Sequence, residues 1–300
     1  MSADIEVTAR VEPAPPEPAP SRGPLLGSLR GSLFVSEVIT LMRRWRTLAI
    51  LAVLAAVPIM IAIVVRVTHG GRAGRTGGPA FIGAITDNGL FVGMTALVAS
   101  IPLFLPLAIG VVAGDTIAGE ANLGTLRYLL VAPAGRTRLL VVKYLAVLVF
   151  CFVAPLVVVV VGAGIGAALF PVGPTTLLSG DTVGVGEALL RELLIAGYVG
   201  LSLAGLAAIG LFVSTLTEIP VGAMAATVTL AIITEVLDTL PQTAALQPYL
   251  FTDQWLGFGD FLRSPISWSS LQTNAILQGA YIAVFSALAW ARFTTRDVLS

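Results

Sequence analysis

An all-α membrane protein with six transmembrane helices is the fold class this sequence predicts, and three observations predict it. Apolar residues make up 56% of the chain and charged residues only 11%, against about 25% charged in a soluble domain. Mean hydropathy is +0.94. Six apolar stretches approach or exceed the roughly 20 residues needed to cross about 30 Å of hydrocarbon. So few charges cannot cover a water-facing surface, which excludes an ordinary soluble enzyme. The 17 basic and 17 acidic residues cancel, which excludes a nucleic-acid binder.

The first element is a tail, residues 1–24. It carries the run PAPPEPAP (Pro13 to Pro20) and almost nothing to bury, so it reads as disordered and cytoplasmic. No apolar core follows at the distance a signal peptide requires. Residues 25–46 then change pattern. Leu26, Leu29, Leu33, Phe34, Val38, Leu41, Met42 and Trp45 recur at spacings of three and four and share a helical face. Arg30, Ser32, Ser36, Glu37, Thr40 and Arg43 line the other. This amphipathic helix suits either the cytoplasmic lipid interface or the protein's own cytosolic face.

Residues 47–300 form the six-helix transmembrane domain. The first span runs from Thr47 to about Val67. The second, Leu90 to Ala113, carries Pro102 and Pro106 and is expected to kink. The third, Tyr144 to Phe170, includes Pro155 and the small residues Gly162, Gly164 and Gly166, which let helix backbones approach closely. The fourth extends from about Glu187 to Thr217. The fifth, Ile219 to Thr234, continues to Leu237 with Glu235 reaching toward the interface. The sixth runs from about Leu271 to Ala291.

Positive charges orient these spans. With the amino terminus inside, twelve basic residues fall on the cytoplasmic side and five outside, and both termini are cytoplasmic. Arg72 and Arg75, in the first outer loop, run against the rule. Trp45 and Trp290 fall at the inner boundary, Trp255 and Trp268 at the outer.

Catalytic patterns are missing from this sequence. The only histidine, His69, lies in a Gly/Arg-rich outer loop and reads as solvated; there is no H-E-x-x-H. The sole lysine, Lys143, follows LLVV rather than a glycine loop, so the chain has no P-loop for ATP. Cys151 reads as a small buried hydrophobe. Ionisable groups are scarce inside the spans. Glu187, Arg191 and Glu192 cluster at the outer start of the fourth span, where Glu187 and Arg191 can pair across one turn. Glu235 and Asp238 sit at the outer end of the fifth, and Glu218 precedes Pro220. Each group reads either as an interfacial salt bridge or cap, or as part of a transport path.

One segment is densely polar: Gly114 to Lys143, between the second and third spans, with Asp115, Glu120, Arg127, Arg136, Arg138 and Lys143. Leu123, Leu126, Leu129 and Leu130 make an apolar stripe at helical spacing, and Pro133, Ala134 and Gly135 end it. Such a helix can dock into a partner's groove or pack on the protein's own surface.

The string Glu120–x3–Gly124–Thr125–Leu126–x2–Leu129–Leu130–x2–Pro133–x2–Arg136, followed by Lys143, resembles the cytoplasmic loop of ABC-2 type transporter permeases. Its place between the second and third of six spans matches. The helix before the first span looks like that family's interfacial elbow helix. The segment Asp238 to Ser270 looks like its short re-entrant extracellular helices, with Tyr249, Phe251, Trp255, Phe258 and Phe261 suited to a membrane interface.

The resemblance implies a permease domain over residues 47–300 in the bacterial cytoplasmic membrane. It implies a second permease copy or paralogue and a separate ABC ATPase subunit, which binds ATP and Mg; the chain itself holds no cofactor or metal and is not an enzyme. The coupling helix, about Glu120 to Val131, would sit in an ATPase cleft. Glu120 is then the acidic contact, Gly124 and Thr125 the turn and helix start, and Leu126, Leu129 and Leu130 the buried face. Arg127 and Pro133 belong to the same loop. Arg136 and Arg138 lie against the ATPase or serve as positive-inside anchors. Met224, Ala225, Val228, Thr229 and Glu235 are pathway or dimer residues on this reading. The leading function is the permease subunit of an ATP-driven exporter of a hydrophobic or amphipathic compound. A secondary carrier or channel, with Glu235 as its functional charge, and a non-transporting membrane subunit or membrane enzyme are the alternatives.

Overall fold

A backbone in hydrocarbon must satisfy its own polar groups, so apolar stretches of span length fold as helices. The computed structural model describes residues 25–69, 85–86, 88–124, 135–177 and 179–295. Most of them are helical, and six helices or helix pairs are long and apolar enough to cross a membrane. The chain has the architecture of a multi-pass membrane protein. The tail, Arg72 and Arg75 lie outside the described residues.

Helix α1, Leu25–Arg43, precedes α2, Trp45–His69. The second span is a pair, α3 (Phe91–Ser100) and α4 (Phe104–Asn122). Proline explains the break. Pro102 has no N–H to give, and Pro106 sits in the first turn of α4, where a missing N–H costs nothing. The expected kink is therefore a full interruption at 101–103.

Helix α5, Arg136–Leu169, is the axis of the fold. Its 34 residues span about 51 Å at 1.5 Å each. It packs against α1, α2, α3, α4 and the next pair, α6 (Val185–Ser202) and α7 (Ala204–Leu216). Helix α8, Pro220–Thr239, lies on α4, and α9, Ser269–Thr295, lies on α7. A two-residue hairpin, β1 (Thr175–Thr176) and β2 (Thr182–Val183), joins α5 to α6 in antiparallel register, Thr175 opposite Val183. Short 3-10 helices occupy Pro241–Thr243, Gln247–Tyr249 and Gly257–Leu262 between α8 and α9.

Two glycine pairs let α3 reach α5. A Cβ on Gly166 would stand 2.0 Å from the Gly89 carbonyl oxygen, and one on Gly162 2.4 Å from the Gly93 Cα. Gly89, in the turn before α3, and Gly93 are four residues apart, as are Gly162 and Gly166 of α5, so the backbones touch along one stripe. Gly164 meets open space. Of the glycine run in the third span, two members do the packing.

Three expectations change. The helix that carries the third span begins at Arg136, eight residues before Tyr144, so the charged residues ahead of the span are helix and not loop. The segment 114–143 is not one loop: α4 runs on through Asp115 and Glu120 to Asn122. Nor do the aromatics of 249–261 form an interfacial belt. Phe251, Trp255, Phe258 and Phe261 are buried at 2–6% exposure, and only Tyr249 stays outside. Phe261 packs edge to face on Tyr198, and Phe251 packs edge to face on Tyr281 and tilted against Trp255. Trp255 donates its Nε1–H to the Ser202 carbonyl at 3.0 Å, so its amphipathic ring finds a polar partner inside the protein.

Candidate functional site

The helix ends that flank the polar segment meet at one end of the bundle, where α1, α4, α5 and the close of α9 converge. Lys143, 1% exposed, places Nζ 2.5 Å from Glu120 Oε1 and 3.0 Å from Glu37 Oε1. One ammonium thus ties α1, α4 and α5 together. A lysine is rarely buried this deep without such partners. Next to it, Asp115 accepts from Arg44 at 3.2 Å and Arg46 at 3.4 Å. Arg136 donates to the Thr294 carbonyl at 3.0 Å, and Trp290 to Thr137 Oγ1 at 2.9 Å, which joins α9 to the start of α5.

The apolar face read along residues 25–46 divides. Val38, Leu41 and Met42 of α1 pack on the helical core, while Leu33 is 42% exposed and Trp45, already the first residue of α2, is 80% exposed. Glu37, read as part of the polar face, turns to Lys143.

Between the clamped ends lies the loop. Gly124 closes α4 with φ +70°, the left-handed conformation that favours glycine, and Gly135 opens α5 with the same φ. The turn assigned to Gly124 is present. Glu120 stands at the end of α4 rather than at the head of a new helix, 9% exposed and paired with Lys143. Thr125, Leu126, Arg127, Leu129, Leu130 and Pro133 lie outside the described residues, and Arg138 is half-buried in the first turn of α5.

On α8 the expected pathway residues divide. Val228 and Met224 lie over Gly110 and Gly114 of α4, where an added Cβ would meet them at 2.7 Å. They belong to packing within this chain. Ala225 and Thr229 face outward, and Glu235 is half-buried with an Oε2 that is shut from solvent and has no hydrogen-bond partner among the described residues.

A polar node absent from the sequence reading sits at the α6–α7 junction. Asn274 donates to Ser202 Oγ at 2.7 Å, and Gln278 donates to the Phe251 carbonyl at 2.9 Å. Gln278 Oε1 accepts from Gly205 N–H at 3.2 Å, a donor released where the helix breaks at Leu203. Both amides are fully buried, as buried backbone groups require partners. Two amides one turn apart in an apolar span were the legible signal. A second insertion lies lower: Ser214 Oγ accepts from the Ile117 and Ala118 amides at 3.0 and 2.8 Å and donates to the Gly114 carbonyl at 2.7 Å. A hydroxyl from α7 thereby enters the backbone ladder of α4.

At the opposite end, Arg191 forms the expected pair with Glu187 at 2.7 Å and also donates to the carbonyls of Phe261 and Arg263 at 2.6 and 2.8 Å. It pins the aromatic segment to α6. Asp260 caps α9, accepting from Ser270 Oγ at 2.6 Å and from Ser269 Oγ at 3.2 Å. The Ser270 hydroxyl above all, with Ser269 and Arg263, holds its carboxyl below the usual carboxylate range. Beside Arg191 a cavity of about 730 Å³ opens among α2, α3, α6 and the hairpin, with Glu192 in its wall.

A family model described as "Protein of unknown function (DUF2705)" matches residues 80–299. No curated protein matches the chain.

Proposed function

The chain belongs to the DUF2705 family, and from that premise we propose that it is the permease subunit of an ATP-driven ABC exporter of a hydrophobic or amphipathic compound. The observation that carries this reading is the Lys143 clamp. It locks α1, α4 and α5 together at both edges of the loop that resembles an ATPase-docking loop. A displacement of that loop would reach α4 and α5 as levers rather than dissipate in a hinge. Helix α4 passes it to α7 and α8, and α5 passes it to the rest of the bundle.

On this reading the clamped end is cytoplasmic, as are both termini. Helix α1 is the elbow, with its exposed Leu33 and the neighbouring Trp45 at the start of α2 in the lipid interface. The 3-10 segments between α8 and α9 are the outer, re-entrant element. A second copy or paralogue completes the pathway, with the outward face of α8, including Ala225 and Thr229, available to it. The partner ATPase binds ATP and Mg and supplies the free energy; this chain provides the path in the bacterial cytoplasmic membrane.

The test is a purification of the tagged chain from its native membranes, followed by labelling with a photoreactive ATP analogue. The reading predicts a labelled second subunit that is retained by the parent and lost from Leu126→Asp/Leu129→Asp, with the variant chain still inserted and monodisperse. A labelled subunit retained equally by both, or no labelled subunit with either, would contradict it. Glu120 is a poor probe of docking. A lysine there would put two ammonium groups in one buried site, and the chain would lose stability before coupling could be measured.

A secondary carrier is the second reading. The observation that favours it is the pair Glu192 and Glu235, each with a buried Oε2 lacking a hydrogen-bond partner among the described residues.

A further inference from the structure

A cavity of about 730 Å³ is within the roughly 300–1,000 Å³ range of small-molecule sites. Its walls come from distant parts of the chain: Ile61 on α2, Met94 and Val98 on α3, Leu177 beside the hairpin, Ala188 on α6 and Leu262 at the end of the last 3-10 helix. These are apolar side chains, the lining an aliphatic or aromatic body requires. The hairpin that closes one side is held in place from α3, because Asn88, just before that helix, donates to the Gly173 carbonyl at 2.8 Å and to Thr175 Oγ1 at 2.9 Å.

Two ionisable groups line this space, and they are not equivalent. The Arg191 guanidinium is committed elsewhere: Nε and Nη2 bind Glu187 Oε1 at 3.1 and 2.7 Å, and Nη1 binds two backbone carbonyls. Its charge is offset by Glu187. Glu192 has no such arrangement. It is 8% exposed and lines the cavity; its Oε2 turns away toward Gly93, buried without a hydrogen-bond partner among the described residues, and its Oε1 is the oxygen left open to the cavity. Gly93 is needed for the close approach of α3 to α5, where a Cβ would stand 3.0 Å from the Val159 carbonyl, and the Glu192 Oε2 lies 3.5 Å from the same point, an ordinary contact. With Glu187 and Arg191 cancelling, the cavity wall holds one acidic group in excess. A buried carboxyl group lacking a donor is costly, and a ligand that brings a donor recovers that cost.

We infer that this cavity is a binding site for an amphipathic amine, its apolar body between α2 and α3 and its N–H-bearing cation on Glu192. The geometry favours a primary or secondary ammonium over a quaternary one, because the unfilled position is a hydrogen-bond acceptor. A free lipophilic amine and the ammonium headgroup of phosphatidylethanolamine share this chemistry. The inference does not rest on the permease reading, since it concerns binding to this chain alone.

The experiment measures binding of 6-phenylhexylamine and of neutral 6-phenylhexanol to the full chain in phosphatidylcholine nanodiscs, in excess of empty discs. The amine should bind saturably and more tightly than the alcohol. Glu192→Gln should weaken the amine roughly tenfold or more and leave the alcohol unchanged. Ala99→Trp, which fills the cavity from its exposed wall, should abolish both. It also serves as the test should the glutamine variant fail to reach the membrane. Loss of amine binding in discs that contain phosphatidylethanolamine identifies the headgroup as the occupant; its persistence identifies the free amine. Equal affinity for amine and alcohol in the parent, an unchanged amine affinity in Glu192→Gln, or binding that survives Ala99→Trp would overturn the assignment.

Discussion

Replacing Lys143 with methionine removes one cation while keeping an apolar stem of similar length. The ammonium lies 2.5 Å from Glu120 and 3.0 Å from Glu37 and is itself 1% exposed. Removing one partner of a buried pair costs about 3–5 kcal/mol, because the remaining charge is left uncompensated. The Glu37 side chain is 23% exposed, so water takes over part of its solvation and the lower end, about 3 kcal/mol, applies. At roughly 2–4 °C per kcal/mol for domains of 150–250 residues, the midpoint should fall by about 6–12 °C. The assay is the monodisperse fraction of detergent-solubilised protein after heating, at one fixed heating protocol, because unfolding of such chains is read as a rate. The double variant Lys143→Met/Glu120→Gln should recover most of the loss, since no uncompensated charge remains on α4. A single variant that melts with the parent, or a double variant that melts no higher than the single, would refute the clamp.

Three further outcomes follow from the same geometry. Gly166→Ala should destabilise the fold by about 1–3 kcal/mol, because its Cβ would stand 2.0 Å from the Gly89 carbonyl, whereas Gly164→Ala, in open space, should be neutral; heated gel filtration of the two separates them. Gln278→Leu leaves the Gly205 amide and the Phe251 carbonyl without their partner and should cost about 1–3 kcal/mol per orphaned group; amide hydrogen exchange at the α6–α7 junction should rise with it. Asp260 has a depressed folded-state value, so its contribution is fully present above the ordinary aspartate value of about 3.9 and is lost as pH falls through the lower folded one. The acid limb of the melting profile should therefore flatten in Asp260→Asn, and an unchanged limb would remove the capping role.

The spans were legible because lipid enforces a simple rule: about 20 apolar residues, charges at the ends. What was not legible is what charges do once the chain folds. Arg136, Arg138 and Lys143 looked like loop because each is costly in hydrocarbon alone. Lys143 is helical and buried because Glu37 and Glu120 come to it from 106 and 23 residues away, a pairing no local window contains. Glu120 was misplaced for the same reason. The aromatics of 251–261 have the composition of an interfacial belt, and only their partners Ser202, Tyr198 and Tyr281 reveal that they pack inward. By contrast the Glu187–Arg191 pair lies four residues apart and was read correctly. Gly124 was readable too, since glycine after a helix marks a left-handed end.

The central claim is that an ATPase drives this chain through the loop between α4 and α5. Its most direct measurement is ATP hydrolysis by the complex purified gently from native membranes, with and without vanadate. The account predicts vanadate-sensitive hydrolysis that is lost in Leu126→Asp/Leu129→Asp while the chain stays folded. A folded chain that moves its cargo across vesicles with no ATPase present, and stops when Glu235 becomes glutamine, would contradict it.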